Sequence, residues 1–295
     1  MRVLAMAICL AAAAQTPPRL PDQLKGQQVV SDVAFAEGPV FDSRGVLYFS
    51  NYRKYGTIGV MQPDGTTSVW MELPEGTLPF GLKIDAHGNL YVADFKGARI
   101  LRITPEKQIT PIPGDDKAGR LRGVNDLCFD RAGNLFFTDS AGSSAAHPFG
   151  AIYRYSIDGR LTKVAAALPF PNGIVVDPDQ TKLYVSDTGT SSILVFDLAR
   201  DGSLSNKRLL YHFRTPSVDG ISFDEYGRLW VARLESGTVD VISKAGKWLA
   251  SYDLGMERVT NMAWWNRHLY VTVAETNGIY RYDAGVDGAP TIPVQ

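Results

Sequence analysis

Phe129-Asp130-Arg131-Ala132-Gly133-Asn134-Leu135-Phe136 reads as the end of an apolar strand, an acid-led turn containing glycine, and the start of a second apolar strand. The chain repeats this unit. Earlier copies are Phe41-Asp42-Ser43-Arg44-Gly45-Val46-Leu47-Tyr48 and Ile84-Asp85-Ala86-His87-Gly88-Asn89-Leu90-Tyr91. Later copies are Val176-Asp177-Pro178-Asp179-Gln180-Thr181-Lys182-Leu183-Tyr184 and Phe223-Asp224-Glu225-Tyr226-Gly227-Arg228-Leu229-Trp230. A sixth, shortened copy is Trp264-Trp265-Asn266-Arg267-His268-Leu269-Tyr270. The shared residues Leu47, Leu90, Leu135, Leu183, Leu229 and Leu269 are spaced by 43, 45, 48, 46 and 40.

Six strand-turn-strand units about 45 residues apart predict an all-β, six-bladed β-propeller with four-stranded blades around a central channel. Third strands such as Gly150-Ala151-Ile152-Tyr153-Arg154-Tyr155 alternate polar and apolar residues. Turns such as Pro63-Asp64-Gly65, Ile157-Asp158-Gly159 and Arg200-Asp201-Gly202 lead to outer strands such as Thr67-Ser68-Val69-Trp70. No stretch sustains a helical period. The closing outer strand is expected from residues 28–35 or from the tail 286–294.

The composition fits this reading. Of 295 residues, 30 are Lys or Arg and 31 are Asp or Glu; the net charge of −1 argues against a nucleic-acid binder. Met1-Arg2 followed by the apolar run Leu4–Ala14 has the layout of a secretory signal peptide, with cleavage expected between Ala14 and Gln15. The expected organisation is a leader over 1–14, a linker over 15–27, and one propeller over 28–295, periplasmic or secreted. No other apolar run approaches membrane-spanning length, so no span is expected. Cleavage leaves Cys128 as the single cysteine, in an apolar strand where a core role is expected.

The innermost strand of each blade starts near one mouth of the channel. Counting back five residues from each shared Asp gives Glu37, Phe80, Asn125, Asn172 and Asp219, with Thr260 or Asn261 in the short sixth copy. Singly, such residues read as turn caps. Four oxygen-bearing side chains in register are different, because two carboxylates brought together on an axis repel unless a cation sits between them. The set Glu37, Asn125, Asn172 and Asp219 contains no sulfur or imidazole. It suits one divalent cation, Ca²⁺ first, with Mg²⁺, Mn²⁺ or Zn²⁺ as alternatives.

Glu37-Gly38-Pro39, Val124-Asn125-Asp126, Pro171-Asn172-Gly173-Ile174, Leu183-Tyr184-Val185-Ser186-Asp187-Thr188, Val218-Asp219-Gly220 and Leu269-Tyr270-Val271-Thr272 together resemble the SMP-30/gluconolactonase/LRE family, over about residues 30–285. That family includes regucalcin, bacterial gluconolactonases and, more distantly, diisopropylfluorophosphatase. The resemblance implies a cation held by Glu37, Asn172 and Asp219, with Asn125 touching metal or substrate. It implies a lactonase acting on a small lactone or ester, the cation polarising the carbonyl. Asp219 then serves as base toward water or as direct nucleophile. The alternatives are a non-catalytic propeller binding a small molecule or protein, and a phosphotriesterase-like hydrolase.

Sugar-lactone members carry an Arg two positions before the channel Asn and a Glu about eighteen after it; here these positions are Gly123 and Ser143. A less polar substrate is therefore expected, with Arg120 or Arg122 as substitutes. Asp126 reaches the mouth only if its strand is bulged. His147, in the small polar segment Ser140–Pro148, is a candidate for substrate binding if that segment is more than a plain surface loop.

Overall fold

A carboxylate two residues before an exposed turn can accept two backbone N–H groups at once, and this chain uses that device to fold its hairpins. Asp42 Oδ1 accepts from Arg44 N and Val46 N at 2.9 and 3.0 Å. Asp85, Asp177 and Asp224 each hold two N–H groups in the same way. The glycine of the motif then takes a left-handed backbone, with φ of 83° at Gly45 and 85° at Gly133, which explains the recurring Asp and Gly. In the sixth copy Asn266 and Arg267 both have positive φ, 48° and 64°, so a two-residue turn replaces the acid-led one.

The computed structural model describes residues 17–112 and 120–290. The expected leader over 1–14 and its junction at Gln15 lie outside the described residues. Six four-stranded antiparallel sheets are arranged as a six-bladed propeller. Their innermost strands are Val33–Phe41, Pro79–Ile84, Val124–Phe129, Pro171–Val176, Ile221–Phe223 and Val259–Trp265. The six shared leucines are all at most 1% exposed. Apolar residues gather in six clusters, one at each seam between neighbouring blades. Leu82, Leu90 and Ile58, for instance, fill the seam between blades one and two, and Trp230, Val259 and Val271 that between five and six. Burial of this surface between facing sheets is the main source of stability.

The closing strand comes from the N-terminus. Gly26–Val30 pairs antiparallel with Gly278–Asp283, Gly26 facing Tyr282 and Gln28 facing Tyr280, and forms the outer edge of blade six. It begins two residues before the expected domain start. The described part of the expected linker is anchored: Arg228 Nη1 donates to Pro18 O at 2.9 Å, Tyr252 Oη donates to Pro21 O at 2.9 Å, and Leu20 and Leu24 pack against the seam of blades five and six. The tail instead crosses the far end of the channel. Gly288 bridges Asp224, and Ala289 N donates to Phe223 O at 2.9 Å. Among the described residues, no helix is long and apolar enough to cross a membrane.

Candidate active site

Five of the six innermost strands break register where they start, while Ile221–Phe223 of blade five pairs without irregularity. Irregularities fall between Val33 and Val40, Pro79 and Leu82, Val124 and Leu127, Pro171 and Ile174, and Val259 and Asn261. A bulge lets consecutive residues leave the two-fold alternation of a strand. It therefore brings Asp126 into the channel together with Asn125, the condition on which its role depended.

Hydroxyls on the second strands lock this ring of backbone from blade to blade. Ser50 Oγ donates to Phe80 O at 2.6 Å, Thr138 Oγ1 to Asn172 O at 2.7 Å, and Ser186 Oγ to Asp219 O at 2.5 Å. Thr260 Oγ1, on the innermost strand of blade six, joins that blade to blade one through Ala36 O at 2.6 Å. The residue after each register position is glycine in four blades, because the next blade lies against it. A Cβ on Gly173 would come 2.6 Å from Asp219 O, and one on Gly81 would come 2.3 Å from Asp126 Oδ1. In blades three and six that place is taken by Asp126 and Asn261. Each accepts the following backbone N–H at 2.8 Å, Leu127 N and Met262 N respectively.

Glu37, Asn125, Asp126, Asn172 and Asp219 are all buried. Burial is the main force raising the Glu37 carboxyl from 4.5 to about 8, with repulsion from Asp126 second; N–H donation from Gly38 and the Asn261 amide offset part of it. Asp219 is raised well above the usual carboxylate range by burial first, then by Glu37 and Asp126. Hydrogen bonds from Asn172 and Gly220 N oppose the shift. Asn172 Nδ2 also donates to Thr188 Oγ1 at 3.1 Å, which fixes the amide. The structure thus brings Glu37, Asp126, Asn172 and Asp219 into one electrostatic unit. Asn125 sits beside Asp126 at the bulge, but among the described residues no side-chain hydrogen bond ties it to the carboxylates.

A divalent cation fits this set. Two buried carboxylates held against their own repulsion, with amide groups next to them, are an anionic hard-oxygen cradle lacking only positive charge. Among the described residues no three of His, Cys, Asp and Glu converge to hold a metal by themselves, so amide oxygens are needed to complete the donors.

His147 is exposed, and its backbone closes a turn with Ser144. Among the described residues no hydrogen bond joins its ring to the carboxylates. Ser143 does not face substrate: its Oγ donates to Leu168 O at 2.9 Å and accepts from Phe149 N and Gly150 N at 3.0 and 2.8 Å. Gly123 is packed shut, since a Cβ there would meet Ala141 Cβ at 2.4 Å and Phe95 O at 2.9 Å. Phe95 stacks on Phe80 at 4.7 Å, and Phe80 on Phe35 at 5.9 Å, with the Arg258 guanidinium 5.5 Å from the Phe35 ring. Arg122 is engaged over the Phe149 ring at 4.3 Å. Cys128 is buried in the seam of blades three and four, as expected for a core residue.

Sequence reasoning missed Asn261 as a site residue and Lys83 altogether. Asn261 carried a signal: it stands where four other blades have glycine. Lys83 had none within its own repeat.

The model of the SMP-30/Gluconolactonase/LRE-like region matches residues 35–275. The diisopropyl-fluorophosphatase of Loligo vulgaris is 29% identical over 286 residues, which cover 87% of this chain and 91% of that protein. The gluconolactonase of Zymomonas mobilis is 27% identical over 234 residues, covering 69% of this chain and 66% of its own length. Among solved structures, the calcium-binding protein regucalcin from Agrobacterium tumefaciens shares the fold at a TM-score of 0.78 and 20% identity, over 92% of this chain and 97% of that one. Six blades, five of them with irregular inner-strand starts, and a family match across nearly all of them, lead to one assignment: the chain belongs to the SMP-30/gluconolactonase/LRE-like family.

Proposed function

We propose that the protein is a divalent-cation-dependent lactonase, with Ca²⁺ the preferred ion and a substrate less polar than a sugar lactone. The observation that carries this reading is the pair Glu37 and Asp219, buried and mutually repelling, with Asn172 beside Asp219 and Asn261 beside Glu37, in a family that includes gluconolactonases. Glu37, Asn172 and Asp219, with Asn125 nearby, would hold the ion. When bound, it supplies positive charge that polarises a lactone carbonyl and stabilises the developing oxyanion. The chain's own groups do the rest. Asp219, ionised once its charge is compensated, takes the proton of the attacking water. Asn172, tethered by Thr188, keeps the Asp219 carboxyl oriented. The rings of Phe35, Phe80 and Phe95 form an apolar wall beside the register position of blade two, and Gly123 and Ser143 offer no charge to sugar hydroxyls.

A second reading has its own support. The diisopropyl-fluorophosphatase relative spans 87% of the chain, which favours phosphotriester hydrolysis at the same carboxylates. Ring-opening rates on sugar, aliphatic and aromatic lactones, and cleavage of an activated phosphotriester, decide between the two when run with Ca²⁺ and again with chelator. Chelator-sensitive opening of aromatic or aliphatic lactones is the expected result. Phosphotriester cleavage without lactone opening would overturn the lactonase reading, and no turnover by cation-loaded protein would leave a binding scaffold.

A further inference from the structure

One step below the ring of register positions, each innermost strand turns another side chain toward the far part of the channel. Two residues after Gly38, Gly81, Asp126, Gly173, Gly220 and Asn261 come Val40, Lys83, Cys128, Val175, Ser222 and Ala263. Each lines one of two adjoining spaces, the larger of about 380 Å³, closed on one side by the tail residues Asp287–Pro290. Lys83 is the one cationic side chain of this tier. Its side chain is 21% exposed, and its Nζ lies 3.8 Å from Asp126 Oδ1, itself 3% exposed.

Blades two and three face blades five and six across the axis, and the two halves match closely. Gly81 makes room for Asp126 as Gly220 makes room for Asn261: a Cβ on either glycine would fall 2.3 Å from the side-chain oxygen of its neighbour. Asp126 N donates to Thr138 Oγ1 at 3.1 Å, and Asn261 N to Thr272 Oγ1 at 2.9 Å. Where the first half has Asp126 it has Lys83; where the second has the neutral Asn261 it has the neutral Ser222. The extra negative charge and the extra positive charge occur together.

We infer that Lys83 is a built-in counter-ion that cancels Asp126 and so sets the channel to accept a single divalent cation. Glu37, Asp126 and Asp219 carry three negative charges when ionised. Lys83 removes one, and a divalent ion matches the remaining two. This rests on the cation reading above. Lys83 is a positioning residue for charge; it touches no reacting atom. Without it, the Asp126 charge that already acts on Glu37 and Asp219 would go uncompensated, strengthening cation binding by about ten- to a hundred-fold or recruiting a second ion.

The test is Ca²⁺ titration by calorimetry, with bound metal counted by elemental analysis, on the full protein and three variants. Wild type is expected to hold one ion. Lys83→Met, matched in length and compatible with an apolar tier, is expected to hold two, or one bound at least tenfold tighter. Asp126→Asn leaves Lys83 unpaired and is expected to weaken binding at least tenfold. The double variant, which copies the neutral pairing of the opposite half, is expected to return to one ion near wild-type affinity. Unchanged stoichiometry and affinity in folded Lys83→Met overturns the inference, as does a double variant no closer to wild type than its parents. If Lys83→Met does not fold, Asp126→Asn with wild-type affinity overturns it alone. A wild type that binds no divalent ion refutes the cation reading itself, and this inference with it.

Discussion

Stripping the cation should make this protein lose stability as the pH rises, the reverse of the usual behaviour of buried, paired carboxylates. Glu37 titrates near 4.5 in an unfolded chain and is raised to about 8 in the fold, where burial and Asp126 oppose its ionisation. Between these values the folded state binds more protons than the unfolded state, so the free energy of unfolding falls with pH. Below 4.5 the penalty is absent; above 8 it is complete. At about 1.4 kcal/mol per tenfold difference in proton affinity, Glu37 alone costs roughly 5 kcal/mol by pH 8. Asp219, raised by the same neighbours, adds in the same direction. Since whole domains are stable by about 5–15 kcal/mol, the effect should be plain, roughly 10 °C in melting temperature at about 2 °C per kcal/mol. The assay is scanning calorimetry from pH 4.5 to 8.5, in chelator and in excess Ca²⁺, on wild type and Glu37→Gln. We expect a falling melting temperature in chelator, a much flatter profile with Ca²⁺, and a reduced slope in the variant. Chelated wild type as stable at pH 8 as at pH 5 would refute the electrostatic picture of the site.

Asp219→Asn should fold, gain melting temperature in chelator at pH 8 because a repelling charge is gone, and lose about 10²- to 10⁴-fold in turnover; full activity would remove Asp219 from the chemistry. Gly81→Ala places a methyl group against Asp126 Oδ1 and should cost about 1–3 kcal/mol in denaturant unfolding, together with weaker cation binding. Arg233→Met leaves Asp240, paired at 2.6 Å and 6% exposed, as a buried charge without its partner, and should cost about 3–5 kcal/mol by the same unfolding assay.

The propeller was legible because each blade solves a local problem with local residues. The shared Asp accepts the turn's N–H groups, the glycine takes the positive φ, and the leucine enters a seam, so the repeat can be read one copy at a time. The four register residues were legible for a related reason: symmetry carries a fixed offset along the chain into one place in space. Features that depend on contacts between blades were not. Asp126 needed a bulge that the strand pattern does not announce. Lys83 becomes meaningful only when blade three is laid against blade two, 43 residues along the chain from Lys83 to Asp126. His147 was attractive for its chemistry, but its segment is organised by Ser143 and Ser144 around backbone groups, with the imidazole left in solvent. The choice between the two termini as closing strand also turned on pairing: Gly26–Val30 finds the edge of Gly278–Asp283, while the tail bridges Asp224 at the channel's far end.

That closure has a bearing on how the molecule is made. The strand Gly26–Val30 is made about 250 residues before the edge it must dock on, Gly278–Asp283. Blades one to five can form in order of synthesis, but the circle stays open until the sixth blade meets a strand made before all of them. The last fastening therefore joins the first and last strands of the propeller. A truncated product that stops short of blade six leaves that early strand without the edge it pairs with, its backbone N–H and C=O groups unclaimed.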